Sequence, residues 1–160
     1  MSNGKSRIDC YAQLFGEFGA MLSDADWIGL ANDSLPPNLS GLNARIVAGS
    51  RTDRFLQVSY RPGPESFTFI SLSGGCIAEL LDQAAAHCGT FVTSYGCPTL
   101  TMTANYLHAG TGGAFVATAR LLAVTSASAI IGAELTDERE RLIASASVVV
   151  QLVKDVTRYT

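Results

Sequence analysis

Apolar residues recur at helical spacing in the first part of the chain and at strand spacing later. Between Ser6 and about Leu22, the residues Ile8, Tyr11, Leu14, Phe15, Phe18, Met21 and Leu22 share one helical side. That spacing predicts an amphipathic helix, weakened by Gly16 and Gly19. The polar, proline-containing stretch from Ser23 to Gly41 predicts a connection with a short helix near Trp27. Next, LNARIVAGS and RFLQVSYRP flank the polar turn Arg51-Thr52-Asp53 and predict a β-hairpin. An irregular Gly-Pro stretch leads into SLSGGCIAELLDQAAAHCG, which predicts a long buried helix.

Beyond that helix the period changes to two. In TLTMTANYLH, Leu100, Met102, Ala104 and Tyr106 alternate with Thr99, Thr101, Thr103 and Asn105, the mark of a strand with two unlike faces. Short turns then separate FVATARLLAV, SASAIIGAELTD and LIASASVVVQLV, which predict antiparallel neighbours. Two strands, one long apolar helix and four further strands predict an α+β domain in which a sheet wraps that helix. Residues 1–40 are expected as a helix and connection packed on a main unit spanning 41–155, within a single domain.

The long helix carries one anomaly. Ile77, Leu80, Leu81, Ala84, Cys88 and Phe91 form its apolar stripe, whereas Asp82 falls on the other side with Gly75, Ala78, Glu79 and Ala86. A freely solvated face usually carries several long charged residues, and small ones let another backbone or a ligand approach. Two readings of Asp82 stay open on pattern alone: an acid on the solvent side, or an acid in a cleft or interface. Gly74 and Gly75 open the helix behind Ser73, an N-cap residue type. The first-turn amides have no intrahelical partner and lie at the positive end of the dipole. Glycines leave them accessible to a carbonyl oxygen, which is the arrangement acyl transfer uses to hold an oxyanion. Gly75 and Asp82 are separated by about 10 Å along the axis, too far to serve one small carbonyl from a single helix. Two chains pairing their helices antiparallel would bring the amides of one to the acid of the other.

Composition narrows the partners. The net charge of -3 offers no electrostatic grip on nucleic acid or anionic lipid. The N-terminus lacks the apolar run of a signal peptide, and no stretch reaches the length of a membrane span, so a cytoplasmic protein is expected. Cys10, Cys76, Cys88 and Cys97 form no C-x-x-C pair, and His87 and His108 lie at no metal spacing. Neither a metal nor a cofactor is expected. His87 points away from Asp82 and is read as a packed histidine; Cys76 is read as a small core-facing residue.

The stretches SGGCIAELLDQAA, TLTMTANYLHAG, FVATARLLAV and IIGAELTDERERLIASASVVVQLV resemble the PaaI-like thioesterases of the hotdog-fold superfamily, over about Arg45 to Val153. The resemblance implies a curved antiparallel sheet around one central helix, in obligate dimers or tetramers with acyl-CoA sites at the dimer interface. It implies that Asp82 is the catalytic acid, a general base or nucleophile, and that Gly74, with Gly75 beside it, polarises the thioester carbonyl. Thr99 falls where relatives position the acid or water with Ser or Thr. The chain also departs from the pattern. Ser73 replaces His or Gln before Gly-Gly, Phe67 replaces Asn or Gln, Leu107-His108-Ala109 replaces Leu-Arg-Pro, and AVTSASA replaces a basic hairpin. Arg120, Arg139 and Arg141 have two readings, as partial substitutes for that positive charge or as solvated turn and sheet-edge charges. Ser73, Phe67, His108 and Met102 are expected to contact substrate, with core packing the other reading for Phe67 and Met102. The expected activity is hydrolysis of an acyl-CoA or acyl-carrier-protein thioester. The alternative is a non-catalytic hotdog dimer that binds an acyl thioester or another apolar small molecule.

Overall fold

The computed structural model describes residues 6–156. Six strands form one antiparallel sheet: β1 (Arg45–Ser50), β2 (Phe55–Tyr60), β3 (Thr99–Tyr106), β4 (Phe115–Val124), β5 (Ser128–Asp137) and β6 (Leu142–Gln151). Their spatial order is β1-β2-β4-β5-β6-β3. The strand that follows the central helix therefore lands on the far edge, beside β6, and the chain returns through β4. Small and branched apolar residues alternate along β4, β5 and β6, and their buried set includes Ala117, Ala119, Ile131, Ala133, Leu135 and Val148. That period-two pattern gives the sheet one dry face.

The dry face wraps a 20-residue helix spanning Gly74–Thr93. Leu80, Leu81, Ala84, Cys88 and Phe91 are fully buried against the sheet, as the apolar stripe predicts. Burial of five such side chains supplies most of the attraction that holds helix to sheet. Tyr60 of β2 reaches in from the sheet to donate its hydroxyl to the Leu80 carbonyl at 3.1 Å. Burial pushes the Tyr60 hydroxyl pKa up, with the charges of Glu79 and Asp82 adding to it.

Four short helices precede the sheet: α1 (Arg7–Ala12), α2 (Gly16–Met21), α3 (Asp24–Ser34) and α4 (Pro37–Gly41); the central helix is α5. The single helix expected over Ser6–Leu22 is two helices. Gly16, at the start of α2, adopts φ +66, a left-handed conformation that a continuous helix cannot pass through. At Gly19 an added Cβ would collide with the Leu14 carbonyl, so the chain folds back on itself there. The connection around Trp27 is more helical than its polarity suggests. Ser23 caps α3 by accepting from the Asp26 amide, and α3 runs for 11 residues. Trp27 is fully buried, donates Nε1 to the Leu14 carbonyl at 3.1 Å and packs 5.0 Å from the Phe91 ring. Arg51, in the β1–β2 turn, donates to the carbonyls of Gly19, Leu22 and Phe91 and pairs with Asp24 at 3.0 Å. One guanidinium thus fastens α2, α3 and the end of α5 to the hairpin. Among the described residues no helix is long and apolar enough to cross a membrane.

Candidate functional site

The site is built on the face of α5 that the sheet does not bury. Ala78, Glu79, Asp82 and Ala86 are all partly exposed there. Asp82 is not free in solvent on its own: Thr99 Oγ1 donates to Asp82 Oδ1 at 2.6 Å. Thr99 is the first residue of β3, where the strand's register shifts before Thr101. That irregularity lies where the strand swings its hydroxyl toward the helix. A hydrogen bond this short to a carboxylate is strong. It fixes one carboxylate oxygen, and among the described residues Oδ2 has no hydrogen-bond partner.

The other end of the same strand meets the other end of the same helix. Tyr106, the last residue of β3, donates its hydroxyl to the Gly74 carbonyl at 3.2 Å. Ser73 caps α5 by accepting from the Cys76 amide at 3.2 Å, and the Ile77 amide donates to the Ser73 carbonyl at 3.0 Å. Ser73 is therefore occupied as a cap. The amides of Gly74 and Gly75 come before the first intrahelical bond and have none of their own. Both glycines are exposed. A Cβ at Gly75 would meet nothing, and one at Gly74 would meet only the Tyr106 ring, at 3.7 Å. Packing within one protomer therefore does not require glycine at either position. What the glycines provide is access to the backbone.

A groove of about 340 Å³ opens at this end, lined by Leu72, Gly74, Ile77, Tyr106, Leu107 and His108. His108 donates Nδ1 to the Leu142 carbonyl at 2.8 Å, which orients the ring and leaves Nε2 uncommitted. Gly74 and His108 thus share one groove, while Asp82 and Thr99 form a separate pair about 12 Å further along the helix axis. Tyr106 escaped sequence reasoning as a site residue. Its signal was present, because it closes the Asn-Tyr-Leu-His run that ends the strand. Met102 is partly buried and packs on the core, as does Phe67. The Phe67 ring lies 6.4 Å from Phe115, and Phe67 bridges to Leu72 across the loop before α5. Phe69 and Ile70, at the tip of that loop, are exposed.

Other reactive groups stand apart from this face. Cys76 is buried, and burial raises its thiol pKa despite a hydrogen bond with Ser66; its position at a helix start does not make it a thiolate. His87 is buried, donating Nδ1 to the Gln83 carbonyl at 2.8 Å. Arg141 pairs with Asp137 at 3.0 Å and also donates to the Ala109 carbonyl. The Arg120 guanidinium lies 5.0 Å over the Phe55 ring. Among the described residues no cluster of His, Cys, Asp and Glu is placed to hold a metal ion.

Residues 71–144 match the family model described as the thioesterase superfamily. The matched span holds α5, β3, β4, β5 and the start of β6, and so both ends of the site. The PaaI protein from the Escherichia coli phenylacetic acid degradation operon superposes with a TM-score of 0.72 at 17% identity, over 81% of this chain and 94% of that one. A phenylacetic acid degradation-related protein from Ralstonia eutropha JMP134 gives 0.70 at 21% identity, over 74% and 91%. A Streptococcus mutans UA159 protein bound to acetyl-CoA gives 0.63 at 18% identity, over 69% and 89%. No curated protein sequence matches the chain. The hotdog architecture that the sequence resemblance implies is the fold observed.

Proposed function

We propose, for a chain with the hotdog fold and a match to the thioesterase-superfamily model over residues 71–144, that it hydrolyses the thioester of an acyl-CoA at a site shared between two protomers. The observation that carries this reading is the 2.6 Å bond from Thr99 to Asp82, made on a partly exposed face of small residues. An acid that only solvated a helix would not need a strand-borne hydroxyl to hold it.

In this reading, α5 helices of two chains lie antiparallel, and the open amides of Gly74 and Gly75 from one protomer face Asp82 of the other. The amides hold the thioester carbonyl oxygen as negative charge develops on it. Thr99 fixes Oδ1, so the unpartnered Oδ2 takes a proton from water while the water oxygen bonds to the carbonyl carbon. Collapse of the tetrahedral species breaks the carbon–sulfur bond. The leaving sulfur takes up that proton, giving a carboxylic acid and a free thiol. His108, in the groove beside Gly74, is placed to meet the polar part of the substrate. The Streptococcus mutans relative that holds acetyl-CoA supports a CoA thioester over a carrier-bound one. The four free cysteines are in keeping with a reducing cytoplasm.

Binding without turnover is the second reading, and Phe67 favours it. With its ring beside Phe115, it has no polar side-chain atom to offer a carbonyl or a water. Thiol release from a panel of acyl-CoAs by wild type and Asp82→Asn separates the two. We expect turnover that falls by about 10²-fold or more in the variant, in line with the loss of a general base, at unchanged oligomeric mass. Equal rates would remove Asp82 from the chemistry. Stoichiometric acyl-CoA binding with no thiol released would establish the binder.

A further inference from the structure

A second cavity, distinct from the groove beside Gly74, lies between α1 and the side of α5 that continues on from Asp82. Its volume is about 360 Å³, within the range of small-molecule pockets. Tyr11 and Ala12 of α1, with Phe15 just beyond it, form one wall and Ala86 and Thr90 of α5 another, with Val153 among the lining beyond β6. Two more lining residues, Gln83 and Pro98, are the immediate chain neighbours of Asp82 and Thr99. The cavity therefore begins beside the hydrogen-bonded acid and runs along the helix away from the glycine end.

Two of its polar side chains, Tyr11 and His87, meet each other. His87 donates Nδ1 to the Gln83 carbonyl at 2.8 Å, and its Nε2 stands 3.5 Å from the Tyr11 hydroxyl, so the imidazole accepts there. Burial holds the His87 pKa below its usual value, against the opposing pull of the Gln83 bond and the Asp82 charge. The described lining includes no Lys, Arg, Asp or Glu. An occupant that brought charge or unmet hydrogen bonds would leave them buried without partners. With no cation in the lining, the phosphates of CoA are disfavoured, and an uncharged hydrocarbon is accepted.

We infer that this cavity is the acyl pocket: it takes an uncharged hydrocarbon acyl group longer than acetyl, whose thioester carbon then sits beside Asp82. The inference rests on the thioesterase reading for its orientation. It adds that acyl-chain choice is set by α1 and the residues after β6, both outside the segment 71–144 that matches the family model.

Two non-hydrolysable thioethers, S-octyl-CoA and S-ethyl-CoA, test the pocket without turnover, and octanoyl-CoA and acetyl-CoA test it with turnover. Wild type is expected to bind S-octyl-CoA at least tenfold more tightly than S-ethyl-CoA. Ala12→Trp, which fills the cavity, should bring the two affinities within threefold by weakening only the octyl ligand. It should cut kcat/KM for octanoyl-CoA at least tenfold while leaving acetyl-CoA within twofold. Ala12→Asp, which adds charge in place of bulk, should do the same, so poor folding of one variant does not decide the matter. Equal binding of both thioethers by wild type, or equal loss of both in the folded variants, overturns the pocket. Length-dependent binding with no hydrolysis of any acyl-CoA leaves the pocket standing and sinks the enzyme. Hydrolysis with no dependence on chain length does the reverse.

Discussion

The two edges of the sheet are finished in different ways. At β1, the side chain of Asn32 from α3 stands in for a missing strand: Nδ2 donates to the Ile46 carbonyl at 2.9 Å and Oδ1 accepts from the Ile46 amide at 2.8 Å. A helix lies over that edge, and the outward amide and carbonyl of Ile46 are paired within the protomer. At β3 the eight-residue strand has β6 on one side and no strand on the other. Leu100 and Tyr106 are 55% and 53% exposed. A bare edge of this kind invites another strand, and proteins usually blunt it when none is intended. The unblunted edge is also the strand whose two ends touch Asp82 and Gly74. This contrast shows that the protomer closes the edge remote from its candidate chemistry and leaves open the edge that carries it. A second copy across β3 is the pairing we propose.

The strongest way to break this contrast is to blunt β3. Thr101 and Thr103 are exposed on it, and replacing both with Lys brings four like charges together if two β3 strands meet. Like charges facing across strands are destabilising, and edge lysines are a natural block to pairing. The double variant should elute as a monomer in light scattering and lose at least tenfold in thioester hydrolysis, with little change in its own melting temperature. A variant that remains dimeric and fully active would place the interface elsewhere.

At β1 the expected effect is smaller and different in kind. Asn32→Ala leaves the Ile46 amide and carbonyl without their partner. The cost of such groups is about 1–3 kcal/mol, read as a lower midpoint in urea. Oligomeric mass and activity should stay the same. If Asn32→Ala instead changed the assembly, the β1 edge would not be closed by this side chain, and the two edges would be alike.

Legibility in the sequence followed the same division. Elements set by period were readable: the alternation in β4 to β6 and the stripe on α5 are where the spacing places them, since burial against one partner imposes that period. Contacts set by a single side chain reaching across the fold were not. Arg51 reads as a polar turn residue, yet it binds three carbonyls and Asp24; Asn32 reads as part of a polar connection, yet it caps the edge of a sheet. No local pattern encodes a partner far away in sequence. Gly16 and Gly19 were read as weakening a helix; Gly16 stands where it divides, and Gly19 lies within the second half at a close backbone approach, both decided by tertiary packing. In the candidate site, the glycines, Asp82 and Thr99 were marked by spacing and resemblance. Tyr106 and the cavity under α1 needed coordinates, since one is a hydroxyl-to-backbone contact and the other a shape.

Acid should separate the fastenings near the two edges by the smallest effect of the three. Near the start of β3, α1 rests on α5 through the Tyr11 hydroxyl and the buried His87 ring; near β1, α3 is held by Asn32, which does not titrate. Burial depresses the His87 pKa below its usual value, while the Gln83 bond and Asp82 on the same helix pull it back up. A base with a lowered folded pKa binds its proton more readily in the unfolded chain. Stability from this group is therefore present above about 6.5, declines as pH falls through that value, and stops declining below the folded pKa. Asp137 acts in a separate, lower window. Burial raises its carboxyl, but the amides and side chain of Arg141 with the Arg139 amide outweigh that and hold it below 3.8. Its share of stability is thus present above 3.8 and lost only as pH drops through the folded value. Hydrogen exchange between pH 7.5 and 5.5 should show the amides of α1 losing protection while those of α3 keep theirs. His87→Gln, which retains an amide to donate to the Gln83 carbonyl, should flatten the α1 response. Equal loosening of α1 and α3 in wild type would mean that the imidazole does not hold α1 in place, and that the layer before the sheet opens as one unit.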